Sequence, residues 1–426
     1  MNDSKQPWNR FLAIHRRVAG ASLALVIALL PAVVATISAQ AQTFTLLYSF
    51  TGGADGANPS ARVVRDSKGN LYGTTVNGGN PGCFVGAGCG TVFKLDATGK
   101  ETVLYSFTGG ADGANPTGGL ARVHGDLFGA TPLGGATGHG TVFKLDTAGK
   151  EAGKETVLHS FTGAGGDGSS PDTGGLVRDK QGNLYGTTVN GGGNSYCSLG
   201  CGTLYKIDTS GNEIVLYSFT GTGGDGSSPG SRLVRDKQGN LYGTTLWGGA
   251  HSSGTVFMVD TTGHETVLYS FTGAGGDGNN PVAGVVRDVK GNLYGTTAFG
   301  GAYGNGTVYK LDTTGKETVL YSFTGGADGA VPRGELVLAH GDLYGTANRG
   351  GDLGCSGGGC GTVFKLDRTG KQTVLHTFTL TDGGYPAAGL LRDQQGNLYG
   401  TAFGGGNPAC QTGFGGCGTV FKLAPQ

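Results

Sequence analysis

The sequence predicts an all-β fold: a seven-bladed β-propeller of four-stranded antiparallel blades, closed by the N-terminal strand completing the last blade. Three observations carry this. Glycine supplies 89 of 426 residues, about three times ordinary usage, without the strict Gly-x-y period of a collagen. Short apolar runs rich in Val, Leu, Phe and Tyr alternate with Gly-rich turns, which points to short strands and against disorder. One unit recurs seven times. Its Leu-Tyr-Gly core begins at Leu71, Leu127 (as Leu-Phe-Gly), Leu184, Leu241, Leu293, Leu343 and Leu398, at intervals of 56, 57, 57, 52, 50 and 55 residues, a spacing that suits propeller blades.

In chain order, residues 1–41 read as a secretory signal peptide. Lys5, Arg10, Arg16 and Arg17 precede an apolar run from Val18 to Ile37, and Ala39-Gln40-Ala41 offers a cleavage site. The rival reading is an uncleaved anchor, since about 20 apolar residues span a bilayer. Cleavage removes four of 30 basic and one of 30 acidic residues, leaving 26 and 29 and a net charge of −3. No basic stripe remains for nucleic acid, and no second apolar stretch for a membrane span.

Residues 42–426 form the expected propeller. The fifth unit shows its parts: "AGVVRD" (283–288), "NLYGTT" (292–297), "GTVYKLD" (306–312) and "ETVLYSF" (317–323) are strands A to D, running outward from the axis. The text opens with an orphan D strand, "TFTLLYSFTGG" (43–53), and finishes with a C strand, "GTVFKLAPQ" (418–426). Pairing the two closes the ring and removes its open edges.

Leu-Tyr-Gly-Thr-Thr, Gly-Thr-Val-Phe-Lys-Leu-Asp and Glu-Thr-Val-Leu-Tyr-Ser-Phe-Thr-Gly resemble the GloVer tandem repeat, found in exported bacterial "choice-of-anchor" proteins. The likeness covers nearly all of 43–423. It implies an extracytoplasmic repeat protein and little about activity. The sequence departs from the anchor label, ending on a strand without a C-terminal sorting signal or apolar tail.

The A-B and C-D connections are short and uniform; the B-C and D-A connections are long and variable and share the opposite face. Variable loops on a rigid scaffold suit binding. Each D-A loop carries one aspartate: Asp55, Asp112, Asp167, Asp225, Asp277, Asp328 and Asp382. A ring of calcium sites at these residues is one reading, but calcium wants six to eight oxygens. An Asp-Gly turn, with the carboxylate accepting backbone N–H bonds, is the favoured one. No cofactor is expected. The eight cysteines form four local pairs in B-C loops: Cys83 with Cys89, Cys197 with Cys201, Cys355 with Cys360, and Cys410 with Cys417. With an export signal they read as disulfides that brace the loops, not as zinc ligands, since their gaps vary and no histidine accompanies them.

The B-C loops also present aromatic rings at Phe84, Tyr196, Trp247, Phe299, Tyr303, Phe403 and Phe414, with His251 beside Trp247. Trp247, Phe299 and Phe403 read as equivalent positions, suited either to stacking on a ligand or to plugging the blade tops. At the start of strand A, glycines (Gly119, Gly174, Gly284, Gly389) alternate with charge at Arg62, Arg232 and Glu335, with Arg333 nearby. Innermost strands border the channel, so these charges are expected at its mouth, as a ligand site or as a solvated rim. "GSSPG" (226–230) lies in a D-A turn and is no nucleophile elbow. The histidines are scattered; His159 and His376 replace the tyrosine of strand D. The expected function is therefore that of a secreted, periplasmic or surface-bound monomer that is not an enzyme. It would bind a glycan or an extracellular protein through the B-C/D-A face at Trp247, Phe299, Phe403, Arg62, Arg232, Glu335 and His251. The alternative is a lyase, lactonase or dehydrogenase with its site at the channel mouth; a purely structural surface protein is third.

Overall fold

In the computed structural model, which describes residues 42–83, 86–171, 174–355, 358–410 and 413–425, each letter of the repeated text has a physical task. The expected signal peptide and Phe84 lie outside the described residues. In blade 1, Asp66 closes the A-B hairpin. Its Oδ1 accepts the backbone N–H groups of Lys68 and Asn70 at 2.9 and 2.8 Å, and its Oδ2 accepts the Asn70 amide and the Tyr72 hydroxyl at 2.7 and 3.1 Å. Burial pushes this carboxyl up, but the four donors outweigh it and hold it below the usual range. Asp179, Asp236, Asp288 and Asp393 receive the equivalent Asn and Tyr side chains in blades 3, 4, 5 and 7. Blades 2 and 6 shorten the hairpin and use an ion pair instead, Lys144 to Asp126 at 3.0 Å and Lys365 to Asp342 at 2.8 Å.

The next letters serve the core. Leu71 is buried. Gly73 lies under Phe93 of strand C, whose Cζ would stand only 2.6 Å from any Cβ added there. The Thr74 hydroxyl donates to the Gly118 carbonyl of blade 2 at 3.3 Å, and Thr75 meets Thr91 of its own blade at 2.9 Å. The seven letters thus fix a turn, a core, a cross-strand pair and a neighbour.

The sheets follow the expected order. Blade 5 runs A (Val286–Arg287), B (Leu293–Thr297), C (Thr307–Leu311), D (Glu317–Ser322). Strand A is shorter than "AGVVRD" suggested. Only Val286 and Arg287 pair with strand B. The residues before them run along the axis and are pinned from the side, the Thr244 hydroxyl of blade 4 donating to the Ala283 carbonyl at 3.0 Å. In all seven blades the C-D ladder slips by one residue at the same place, a bulge that adds twist to the outer strand.

Blade 7 is made from both ends of the chain. Phe44–Ser49 pairs antiparallel with Thr419–Leu423, Phe44 opposite Leu423 and Ser49 opposite Thr419, in the sheet order D-C-B-A. The seams between blades are equally regular. The last Phe of each D strand meets the central ring of the next C strand edge-on, from Phe50 on Phe93 at 5.1 Å round to Phe378 on Phe421 at 5.2 Å. These rings and their neighbours form the buried clusters, each drawing on two blades. The hydrophobic core therefore lies in the seams.

Candidate functional site

The seven strand-A starts come into register around the axis at Arg62, Gly119, Gly175, Arg232, Gly284, Glu335 and Gly389, each one residue before a buried Val or Leu. The in-register glycine of blade 3 is Gly175, one residue after Gly174, although Gly174 also lines the mouth. The ring borders a cavity of about 430 Å³. Its charged lining is Arg62, Arg232, Arg333 and Glu335, so the expected meeting of Arg62, Arg232 and Glu335 occurs. Glu335 Oε2 stands 3.9 Å from Nη1 of both Arg62 and Arg232. These are loose pairs that leave each guanidinium with free donors. Burial lowers the pKa of Arg62; Glu335 partly restores it and Arg232 lowers it further. Burial and Arg349 lower Arg333 likewise. Three cations thus face one carboxylate in a partly desolvated cup. The walls add Val76, Val282 and Phe403, with hydroxyls from Ser60, Thr117 and Ser231.

The three aromatics do not form one row. Trp247 pairs with Ser227 and Phe299 with Asn279, at matching places in blades 4 and 5. The corresponding residue of blade 7 is Gly404, opposite Gly384. Phe403 is therefore one residue out of register, and on a strand one residue turns a side chain to the other face. Trp247 and Phe299 are 49% and 43% exposed on the loop-rich face. Phe403 instead lines the mouth and stands edge-on to Phe414 at 5.0 Å. His251 is exposed and lies outside the cavity lining.

The loop aspartates are engaged by their own loops. Asp55 accepts the Thr51 N–H at 2.8 Å, the Thr51 hydroxyl at 2.5 Å and the Tyr48 hydroxyl at 3.0 Å. Asp112, Asp225, Asp277 and Asp328 repeat the pattern with the equivalent Tyr and Thr. At Asp167 and Asp382 a histidine stands where the tyrosine would be: His376 meets Asp382 at 2.9 Å, and His159 stands 3.7 Å from Asp167.

All four cysteine pairs are disulfides, with Cα atoms 5.2–5.6 Å apart. Such bonds persist in oxidising, extracytoplasmic compartments. Their placement adds a core role to the bracing of the loops. The second member of each pair, Cys89, Cys201, Cys360 and Cys417, is fully buried. Cys89 packs with Phe107, Cys201 with Phe219, Cys360 with Phe378 and Cys417 with Phe50, in the apolar clusters of the seams. The reason is position: each directly precedes the Gly-Thr that opens strand C, so its sulfur enters the core with that strand. These four cysteines are therefore core residues that anchor the B-C loops. Blades 2, 4 and 5 place His139, Ser253 and Asn305 where the second cysteine stands, each against the D-A loop glycine that otherwise meets sulfur. Among the described residues no helix is long and apolar enough to cross a membrane.

Among solved structures, the chain is similar to the extracellular domain of a hybrid two-component system from B. thetaiotaomicron (TM-score 0.54, 14% identity), covering 90% of this chain and 41% of that one. It is similar also to a fungal alcohol oxidase of the AA5 family in complex with copper (TM-score 0.57, 15% identity), covering 90% and 76%. A Xanthomonas campestris gluconolactonase matches at a TM-score of 0.44 and 13% identity over 90% and 89%, too low to carry an argument. At these identities the likeness shows the propeller fold alone. No curated protein matches the chain. The Gloeobacter/Verrucomicrobia repeat matches over residues 32–199, 153–357 and 197–414, the span in which the blades repeat, and the chain belongs to that family.

Proposed function

We propose that the protein is an exported binding protein of the periplasm or cell surface that takes an acidic sugar, such as the uronate end of a glycan, in the channel mouth. One observation carries this reading: Arg62, Arg232 and Arg333 converge on one cavity with a single opposing carboxylate, Glu335. Guanidinium presents a planar fork that matches a carboxylate. A ligand anion would relieve the repulsion among three cations, of which Arg62 and Arg232 are partly buried and Arg333 is exposed, and in its absence Glu335 screens Arg62 from Arg232. The apolar and hydroxyl walls suit the mixed faces of a sugar ring. Trp247 and Phe299, exposed on adjacent blades of the same face, supply platforms for sugars beyond the first.

Binding is favoured over catalysis by the donor set. Glycoside chemistry needs two carboxyl groups. Among the described residues lining the cavity, Glu335 is the one carboxylate, and arginine does not give up a proton near neutral pH. A glycan array tests the reading. Uronate-bearing glycans should bind, binding should weaken with salt, and Arg62→Gln/Arg232→Gln should lose it. Trp247→Ala should weaken long glycans and spare the acidic monosaccharide. Selection of neutral glycans only, or equal binding by the double variant, refutes it.

A further inference from the structure

At the outer rim each seam brings together three positions: a D-strand side chain, the D-A loop aspartate, and the first residue of the next D strand. At the seam of blades 3 and 4 they are Tyr217, Asp225 and Glu265, where the phenol donates to the carboxylate at 3.1 Å. At the seam of blades 6 and 7 they are His376, Asp382 and Phe44. There the imidazole meets the carboxylate at 2.9 Å, and Phe44 lies flat on the ring at 3.8 Å and 11°. Only between blades 2 and 3, among the described residues, does a histidine coincide with both carboxylates.

That seam holds His159, Asp167 and Glu213, whose ligand atoms all lie within 4.8 Å of one another. His159 Nε2 stands 3.7 Å from Asp167 Oδ1, too far for a hydrogen bond. His159 Nε2 and Glu213 Oε1 are both buried without a hydrogen-bond partner. Two unsatisfied polar atoms from different blades thus converge on one carboxylate, a costly arrangement unless something sits between them. The shell around them is fixed. The His159 ring stands edge-on to Phe161 at 4.6 Å. Asp167 Oδ2 accepts the Thr162 N–H and hydroxyl at 2.7 and 2.8 Å, and Oδ1 accepts the Gly168 N–H at 2.7 Å. Such second contacts orient metal ligands.

We propose that this seam binds a divalent transition-metal ion of the zinc class, with His159, Asp167 and Glu213 as its protein ligands. A tetrahedral ion with bonds of about 2.1 Å needs ligand atoms about 3.4 Å apart, and the His159–Asp167 distance is already near that value. One imidazole with two carboxylates suits zinc or its neighbours, whereas calcium would demand a fuller set of oxygens. Ligands from two blades make the ion a staple across the seam. The site is independent of the channel mouth.

Titration of the metal-stripped protein with ZnCl₂, followed by calorimetry and by thermal melting, tests this. One ion should bind per chain and raise the melting temperature, and EDTA should reverse the rise. His159→Tyr restores the residue of the sibling seams. It should fold with the melting temperature of the stripped wild type and weaken binding by about 100-fold or more. Glu213→Gln, which copies Gln372 at the seam of blades 5 and 6, should weaken binding as well, and covers the case in which His159→Tyr fails to fold. His376→Tyr should bind as wild type. Absence of micromolar binding, or undiminished binding by either His159→Tyr or Glu213→Gln, overturns the proposal.

Discussion

Replacing Glu101, Glu155, Glu265 and Glu317 together by glutamine should stabilise the protein above neutral pH and flatten its pH dependence. Each opens a D strand and tucks Oε1 into the seam, buried and without a hydrogen-bond partner. Burial pushes each carboxyl up to about 7, and the loop aspartate of the preceding blade (Asp55, Asp112, Asp225, Asp277) pushes in the same direction. Blade 6 shows the remedy, because Gln372 occupies the same position and its amide donates to the Asp328 carbonyl at 3.1 Å. The folded pKa lies above the unfolded value of 4.5. The contribution is therefore fully present below about pH 4.5 and is lost as pH rises through about 7. A rise from 4.5 to about 7 corresponds to roughly 3.4 kcal/mol. These groups are only half-buried, and solvent screening reduces the figure to about 1 kcal/mol each, or about 4 kcal/mol for four. With about 2.1 cal/mol/K of unfolding entropy per residue, over roughly 380 residues, that is about 5 °C. Thermal melts from pH 4.5 to 8.5 measure it. The two proteins should melt together in acid and separate by about 5 °C at pH 8.5. Curves that stay parallel across the range would show that the buried glutamates do not titrate near neutrality.

Phe50→Ala removes the ring that joins the N-terminal strand to blade 1; it should cost about 3–5 kcal/mol, read as a lower denaturant midpoint with the seam between the chain ends opening first in hydrogen exchange. The Cys197–Cys201 bridge closes a loop of only a few residues, so Cys197→Ser/Cys201→Ser should cost at most about 2 kcal/mol by chemical denaturation. Gly254→Ala should cost more than about 3 kcal/mol and fail to give soluble protein at 37 °C, because φ is +92° and a Cβ would stand 2.5 Å from the Pro281 ring. Val331 holds φ at +53° where three other blades use asparagine. Val331→Asn should raise the unfolding free energy by about 1 kcal/mol, and a lower melting temperature would mean that its apolar contacts outweigh the strain.

The architecture was legible because it is written seven times, and the closure because the leftover strands match. Arg62, Arg232 and Glu335 were legible as breaks in a glycine pattern, although they come from blades 1, 4 and 6 and meet only through the ring. Other features depend on register. "LYGTAFGGG" (398–406) ends in a run of three glycines, and aligning on that run places Phe403 with Trp247 and Phe299; the bridge between Gly384 and Gly404 fixes the frame one residue away. Strand A reads as six extended residues because its alternation is real, yet beside the axis only Val286 and Arg287 find a strand to bond. The cysteine pairing was legible from local spacing, but the burial of Cys89, Cys201, Cys360 and Cys417 comes from the neighbouring blade that covers them. His159 was visible as a departure from tyrosine. Its partner Glu213 looks like every other D-strand glutamate, and no local spacing joins residues from two blades.

The glycine ring gives these breaks a physical meaning. A Cβ at Gly284 would stand 2.3 Å from the Arg232 carbonyl, one at Gly175 2.4 Å from the Gly119 carbonyl, and one at Gly389 3.0 Å from Glu335 Cβ. Seven side chains do not fit around this axis. The backbone closes tightly at three of the four glycine blades, a Cβ at Gly119 meeting nothing nearer than the Arg62 carbonyl at 3.6 Å, and the ring holds three long charged side chains and a cavity of about 430 Å³. A mouth made only to solvate its rim would have no reason to crowd glycine against carbonyl in some blades and admit arginine in others. Among the departures from sevenfold symmetry, three stand apart from the contacts that build the blades: the ring, the Trp247 and Phe299 positions, and the seam at His159. Chemistry can be added there without disturbing the Asp, Asn, Gly, Thr and Phe contacts that hold each blade to the next.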